Sequence, residues 1–264
     1  PCMLVLYEHP LSPYAQKVKI ALREKGIAFE VRMPEGIGAG HTKGAFADAN
    51  PRREVPALID GDTAIFDSTI ILEYIDDKWP EPTLMPDAPE SRARVRQIED
   101  VMDTHFEAIT WGLGELRFFK RGNDAQRAAI EARAADQVSG FMAWLEAELG
   151  EADYFNGQAF GRADLSVIPY LNAADGFGLK PAAGSRLAGW MARVNGRDSV
   201  SQTDAESRAS ITGMEMVSAA VEAGLFKRQY RDHRLEWMIK SGGMDIVVDG
   251  LAKQTIRFTD HWDT

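Results

Sequence analysis

The chain has 264 residues, enough for one or two domains with a substantial core. Hydrophobic residues make up 45% and charged residues 27%, which excludes wholesale disorder, and 30 basic against 40 acidic side chains leave a net charge of −10, the wrong sign for broad attraction to a polyanion. The single cysteine, Cys2, excludes an internal disulfide and an all-cysteine metal site, and no apolar run reaches the roughly 20 residues that span a bilayer. The expectation is a soluble protein of a reducing, cytoplasmic compartment, with no nucleic acid, membrane or metal among its partners.

Met3 to Tyr7 is a short apolar run of strand length closed by Glu8-His9-Pro10, and Phe29 to Met33 is a second, mixed run of strand length after a glycine. Between them, Ser12-Pro13 pairs a preferred cap residue with proline at the first helical position. The predicted helix carries Tyr14, Val18, Ala21 and Leu22 on one face and stops at Lys25-Gly26. After a long connection from Pro34 to Pro56, Asp60-Gly61-Asp62-Thr63 separates Ala57-Leu58-Ile59 from Ala64-Ile65-Phe66, a hairpin signal. A second helix is expected from Ser68 through Ile70, Ile71, Tyr74 and Ile75.

Pro80, Pro82, Pro86 and Pro89 then crowd a stretch that cannot continue as helix, which predicts a linker over residues 81–90 between an α/β unit at 1–80 and the second part of the chain. From Ser91 onward strand signals vanish. Val95, Ile98, Val101, Met102 and His105 recur at helical spacing, as do Val138, Phe141, Met142, Leu145 and Leu149 before Gly150, so residues 91–200 read as all-helical. The remaining residues, 201–264, form an extension expected to pack on the helical domain. It reads as helical near Met214 to Phe226 and around His233 to Ile239, and strand-like from Asp245 to Val248.

Element order alone is compatible with several folds. The run Leu11-Ser12-Pro13-Tyr14-Ala15-Gln16-Lys17-Val18, then Asn50-Pro51-Arg52-Arg53-Glu54-Val55-Pro56-Ala57-Leu58, then Phe66-Asp67-Ser68, resembles the cytosolic glutathione transferases, over roughly residues 3 to 195. That resemblance implies a thioredoxin-like α/β N-terminal domain joined to an all-α C-terminal helical domain, glutathione as co-substrate, and a homodimer.

Residue by residue, the resemblance makes Ser12 the catalytic candidate. In serine-type classes a hydroxyl near the start of the first helix holds the glutathione sulfur, and the Ser-Pro-Tyr here looks like the plant tau class. Read on its own, Ser12 is a good helix cap, and the two roles are compatible. Val55-Pro56 looks like the family's cis-proline turn, whose main chain meets the cysteinyl part of glutathione. Asp67-Ser68 matches the acidic-Ser pair that binds the γ-glutamyl end, where a helix start suits a carboxylate. His41, nine residues before Asn50, and Arg53 match glutathione contacts of theta-like and delta-like members, at the glycine end. Gly161-Arg162-Ala163-Asp164 falls where the family has a hydroxyl residue three before Asp, so Asp164 reads as structural and Gly161 as a tolerable cap.

The second substrate is expected over the sulfur, a small hydrophobic electrophile against Tyr14, Trp111 and Phe118. Trp111 and Phe118 lie seven apart on one helix face, and Phe226, Tyr230 and Trp237 of the extension are candidates to close the pocket. Addition, substitution, dehalogenation and ether cleavage all fit these residues. Two further readings stay open: a non-catalytic glutathione-binding or scaffolding protein of the same fold, and a glutathione-dependent thiol-disulfide reductase, for which Cys2 lies ten residues before Ser12. Asp260-His261-Trp262-Asp263 lacks a second spaced His pair and reads as a surface end rather than a metal site. The basic run Phe226-Lys227-Arg228-Gln229-Tyr230-Arg231 reads as pairing with the protein's own acidic groups.

Overall fold

In a computed structural model that describes residues 3–38 and 42–258, the alternation of Leu4 and Leu6 with Val5 and Tyr7 puts two apolar faces on the first strand. This strand, β1 (Leu4–Tyr7), runs parallel to β2 (Phe29–Arg32) and antiparallel to β3 (Ala57–Asp60), which forms a hairpin with β4 (Thr63–Phe66). The sheet order is β2-β1-β3-β4. One face, with Leu4, Leu6 and Leu58, packs on Val18 and Leu22 of α1 (Pro13–Glu24) and on Ile71 and Ile75 of α3 (Ser68–Lys78). The opposite face, with Tyr7 and Ala57, takes Phe46 of the short α2 (Ala45–Ala49). Cys2, His41 and the Asp260–Asp263 group lie outside the described residues.

The helical part begins with α4 (Pro89–Val101), which runs through a π turn (Met102–Phe106) into α5 (Glu107–Arg117). A 26-residue helix, α6 (Asp124–Leu149), comes next, and α7 (Arg162–Gly176) passes through the centre, nearly all of it buried. Helices α8 (Arg186–Asn195) and α9 (Asp198–Ile211) complete the bundle. At the entry to α7, Asp164 accepts from the backbone N–H of Phe155 (2.8 Å), Asn156 (3.3 Å) and Gly161 (3.0 Å) and from Trp190 Nε1 (2.7 Å). Gly161 is there for room as well as for capping. A Cβ on it would sit 2.3 Å from the Asn156 side chain and 2.6 Å from the Leu84 carbonyl oxygen, so the family's hydroxyl residue would not fit.

The sheet unit and the helices share one buried charge cluster. Glu99 of α4, 1% exposed, accepts from Lys17 Nζ of α1 (3.0 Å), Thr69 Oγ1 of α3 (3.1 Å) and Arg162 Nε of α7 (2.8 Å). Lys17 also meets Asp103 Oδ2 at 2.6 Å, and Tyr170 donates to Asp103 Oδ1 at 2.7 Å. Burial pushes the Glu99 carboxyl up, but Lys17 and Arg162 outweigh it and hold the group well below the usual carboxylate range.

The extension crosses back over α5. It comprises α10 (Met214–Glu222), β5 (Arg228–Gln229), α11 (Asp232–Lys240), α12 (Met244–Ala252) and β6 (Ile256–Arg257), with β5 and β6 parallel. The expected strand from Asp245 to Val248 is instead part of α12, whose Ile246, Val247 and Gly250 are buried at helical spacing. Three apolar residues, Ile246, Val247 and Val248, cannot by themselves distinguish the two periods. Two features of α5 receive α11. Trp237 lies over Gly112, where a Cβ would be 2.0 Å from the indole, and the buried Glu107 is met by His233 Nε2 (2.6 Å) and Arg234 Nη2 (2.5 Å). Burial pushes the Glu107 carboxyl up, but Arg234 and His233 more than reverse this and bring it down to about 2.

These contacts make three predictions. In a free helix Gly112→Ala would stabilise by about 1 kcal/mol through propensity. Here the displaced indole should turn that into a net loss of about 1–3 kcal/mol, read from urea unfolding. Lys17→Met, which leaves Glu99 and Asp103 facing each other without their shared cation, should cost about 3–5 kcal/mol in the same measurement. Because the folded Glu107 pKa lies below its ordinary value, with Arg234 as the main cause, the Glu107–Arg234 pair contributes fully above about pH 4.5 and is lost as pH falls toward 2. The gap in urea midpoint between wild type and Glu107→Gln should therefore be widest near neutrality and shrink across that acid window.

Candidate functional site

A cleft of about 450 Å³ lies where the sheet unit, the α4–π-turn segment and the extension meet. Its sheet-unit wall includes Val55, Pro56, Asp67 and Ser68, four of the residues singled out in the sequence, together with Asn50 and Phe66. The Val55–Pro56 peptide is cis. Asn50, buried, shapes the approach to this turn: its side-chain amide donates to the Glu54 carbonyl, and its Oδ1 accepts from Arg52 N at 3.0 Å. No role was assigned to Asn50 from the sequence beyond membership of the Asn-Pro motif, although an Asn heading a loop is a recognisable turn signal.

Asp67 is the N-cap of α3. Its Oδ1 accepts from Thr69 N (3.0 Å) and Ile70 N (3.4 Å), and its Oδ2 meets Arg52 at 3.3 Å. Its φ of +77°, like the +52° of Arg53, is backbone that costs a non-glycine residue on the order of 1–3 kcal/mol. The capping bonds offset that at Asp67 and leave Ser68, buried at the first turn, on the cleft wall. Arg53 does not line the cleft; its N–H donates to the Asn50 carbonyl at 2.9 Å.

Ser12 caps α1, its Oγ accepting from Ala15 N at 3.3 Å; it is half-buried and does not line the cleft. Tyr14, two residues on, does line the cleft. Its hydroxyl donates to the Asp103 carbonyl at 2.8 Å and lies 3.3 Å from His233 Nε2. Burial, with Glu107 and Asp103 nearby, pushes the Tyr14 phenol well above its ordinary pKa, so it is a neutral donor. His9, whose carbonyl accepts from Ser12 N at 2.8 Å, is pushed down by burial and by the Arg228 charge, which favours neutral imidazole.

Trp111 and Phe118 do not share the cleft. Trp111 packs edge-to-face on Tyr230 at 4.7 Å, with the Arg228 and Arg234 guanidiniums 5.2 and 4.9 Å from its ring centre, whereas Phe118 packs on Phe177 at 5.9 Å. Tyr230 and Trp237 are buried in the same packing, so the extension occupies the space over Trp111. The extension residues that reach the cleft are Arg231, Asp232 and His233, none of which the sequence singled out as site residues. The basic run does pair with the chain's own acids: Arg228 and Tyr230 with buried Glu115, and Arg231 with Glu54 at 3.5 Å. Among the described residues no group of His, Cys, Asp and Glu side chains is arranged to hold a metal ion.

Known proteins with this arrangement are found on both sequence and structure. The family model for the glutathione S-transferase N-terminal domain matches residues 6–83. Glutathione S-transferase U28 of Arabidopsis thaliana is 32% identical over 216 residues, covering 77% of this chain and 89% of that protein. A stringent starvation protein A homolog of Haemophilus ducreyi is 28% identical over 192 residues, 72% of this chain and 84% of that one. The crystal structure of rice GST1 in complex with glutathione superposes with a TM-score of 0.67 at 26% identity, covering 82% of this chain and 96% of that one. With its thioredoxin-like sheet unit, its helical domain and a relative at 32% identity matched over most of its length, the chain belongs to the glutathione S-transferase family.

Proposed function

We propose that the protein binds glutathione in this cleft, ionises its thiol with help from Ser12, and directs the thiolate at a small, largely apolar electrophile. The observation that carries the reading is the convergence on one cleft wall of Val55, Pro56, Asp67 and Ser68, which the family resemblance assigns to glutathione. The start of α3 suits the γ-glutamyl carboxylate, since first-turn N–H groups and the helix dipole favour an anion. At the start of α1, Ser12 accepts from Ala15 and keeps its own hydroxyl hydrogen to donate, so a sulfur placed there meets a donor and a second helix end.

The required effect is modest. A thiol of ordinary pKa about 8.5 is roughly 3% ionised at pH 7, and lowering it to about 6.5 makes it roughly 75% ionised, for about 2.7 kcal/mol of preference for the anion. A charge-assisted hydrogen bond and a helix terminus are of that order. Tyr14, Val55 and Phe66 supply the apolar part of the cleft wall for the electrophile, and the extension over Trp111 keeps that partner small. We also read the chain as a homodimer, as the resemblance implies.

A second reading, glutathione binding without turnover, is favoured by Ser12 not being among the residues that line the cleft. Calorimetry combined with a pH titration of thiolate ultraviolet absorbance separates the two. Under the transferase reading, bound glutathione titrates about 2 pH units below the free thiol, and Ser12→Ala returns most of that difference while weakening binding at pH 7 only about fourfold, the loss that such a pKa difference entails. Binding with an unmoved thiol would support the non-catalytic reading, and no binding at all would overturn both.

A further inference from the structure

Glu54, the residue immediately before Val55, is held from the far end of the chain. Its carbonyl is taken by the Asn50 amide within its own loop, but its carboxylate accepts from Gln229 Nε2 at 2.6 Å on Oε1 and faces Arg231 Nη1 at 3.5 Å on Oε2. Gln229 is itself fixed on three sides. Its side-chain oxygen accepts from Arg257 Nη2 at 3.0 Å, its carbonyl accepts from Arg234 Nη1 at 3.1 Å, and β5 pairs with β6. The flanking Arg228 and Tyr230 are anchored on Glu115, a fully buried carboxylate of α5. A second attachment lies nearby, where Lys227 N donates to the Gly38 carbonyl at 2.8 Å and the Phe226 ring fills the space a side chain at position 38 would need.

A continuous run of polar contacts therefore ties the helical domain, through the extension, to the loop that presents Val55. That loop contains Arg53 at φ +52°, a conformation that persists only while its surroundings impose it. A main-chain binding group must also be held to within about 0.5 Å of its productive geometry to keep its affinity.

We propose that Gln229 is a positioning residue for the glutathione site: by gripping Glu54 from the extension, it fixes the Val55–Pro56 turn in its binding geometry, so that an intact extension is a requirement for tight glutathione binding and not only a cover over α5. The proposal rests on the reading that this cleft takes glutathione. It assigns the extension a part in the first substrate's site, whereas the aromatic packing over Trp111 bears on the second.

The test is a double-mutant cycle on the full chain, read by calorimetric titration with glutathione. Gln229→Glu sets a carboxylate against Glu54 and should weaken binding about tenfold, the effect of losing one hydrogen bond to a charged group. Adding Glu54→Gln to that variant restores a donor–acceptor pair with its sense reversed and should recover affinity to within about threefold of wild type. A general structural role for either side chain would not produce that rescue. Gln229→Leu, which removes the donor without adding charge, gives an independent arm, and thermal unfolding of each variant confirms that it is folded at the titration temperature. If wild type binds glutathione and the single variants bind it equally well, the proposal is overturned while the reading of the cleft stands. Weakened binding that the second substitution fails to restore also overturns it. If wild type takes up no glutathione, the reading of the cleft falls and the proposal with it.

Discussion

The buried carboxylate of Glu99 is the constraint on which the arrangement of the two halves depends. A charge removed from water is tolerated only when its oxygens are met by donors, and here the donors come from three other elements: Lys17 on α1, Thr69 on α3 and Arg162 on α7. Elements that share one buried anion cannot slide past one another without exposing it or leaving it unpaired. The same cluster reaches the site. Lys17 bridges to Asp103 in the π turn, and the Asp103 carbonyl accepts the Tyr14 hydroxyl, so the first turn of α1 is pinned against the helical domain two residues from Ser12. An inserted π turn at this place shifts the residues after it by part of a turn, and such turns are common at functional sites.

The extension obeys a similar logic on α5. Glu107 and Glu115 are buried carboxylates whose cations come largely from residues 228–234, and Gly112 between them leaves the notch that Trp237 fills. The α5 surface is therefore complementary to the extension in both charge and shape. Docking it there converts an aromatic helix face into protein interior and brings Arg231, Asp232 and His233 to the mouth of the cleft.

The cleft itself is small and lined by several charged side chains, with the Val55–Pro56 turn and the start of α3 on one side. Asp67 on that side, and Arg53 in the loop before it, hold positive φ, and the local bonds at Asp67 and the contact of Gln229 with Glu54 are the kind of surroundings that sustain such conformations. A site of this type offers N–H and C=O groups and helix ends more than apolar area, which is the basis of the proposed glutathione binding.

Much of the architecture was legible in the amino-acid order, because the signals are local. Ser12-Pro13 marks the start of α1, Asp60-Gly61 the β3–β4 turn, Asp67-Ser68 the start of α3, and the 3.6-residue spacing of Val95, Ile98 and Met102 the change to helix. Val55, Pro56, Asp67 and Ser68, which the family motifs single out, line one cleft together. Other features depend on pairs far apart in the chain and leave no local trace. The spacing of Trp111 and Phe118 along α5 and its C-cap does not reveal that Tyr230 and Phe177 cover them, and the three apolar residues Ile246 to Val248 do not reveal that they belong to a helix. Local propensity and capping chemistry determined most of which segments are helix, strand and turn, the Asp245–Val248 segment excepted. Which buried charges meet, that Gly161 and Gly112 are needed for room, and that the extension closes on the Glu54 loop were decided only in the tertiary structure, because steric room and desolvated ion pairs exist only once distant segments are packed together.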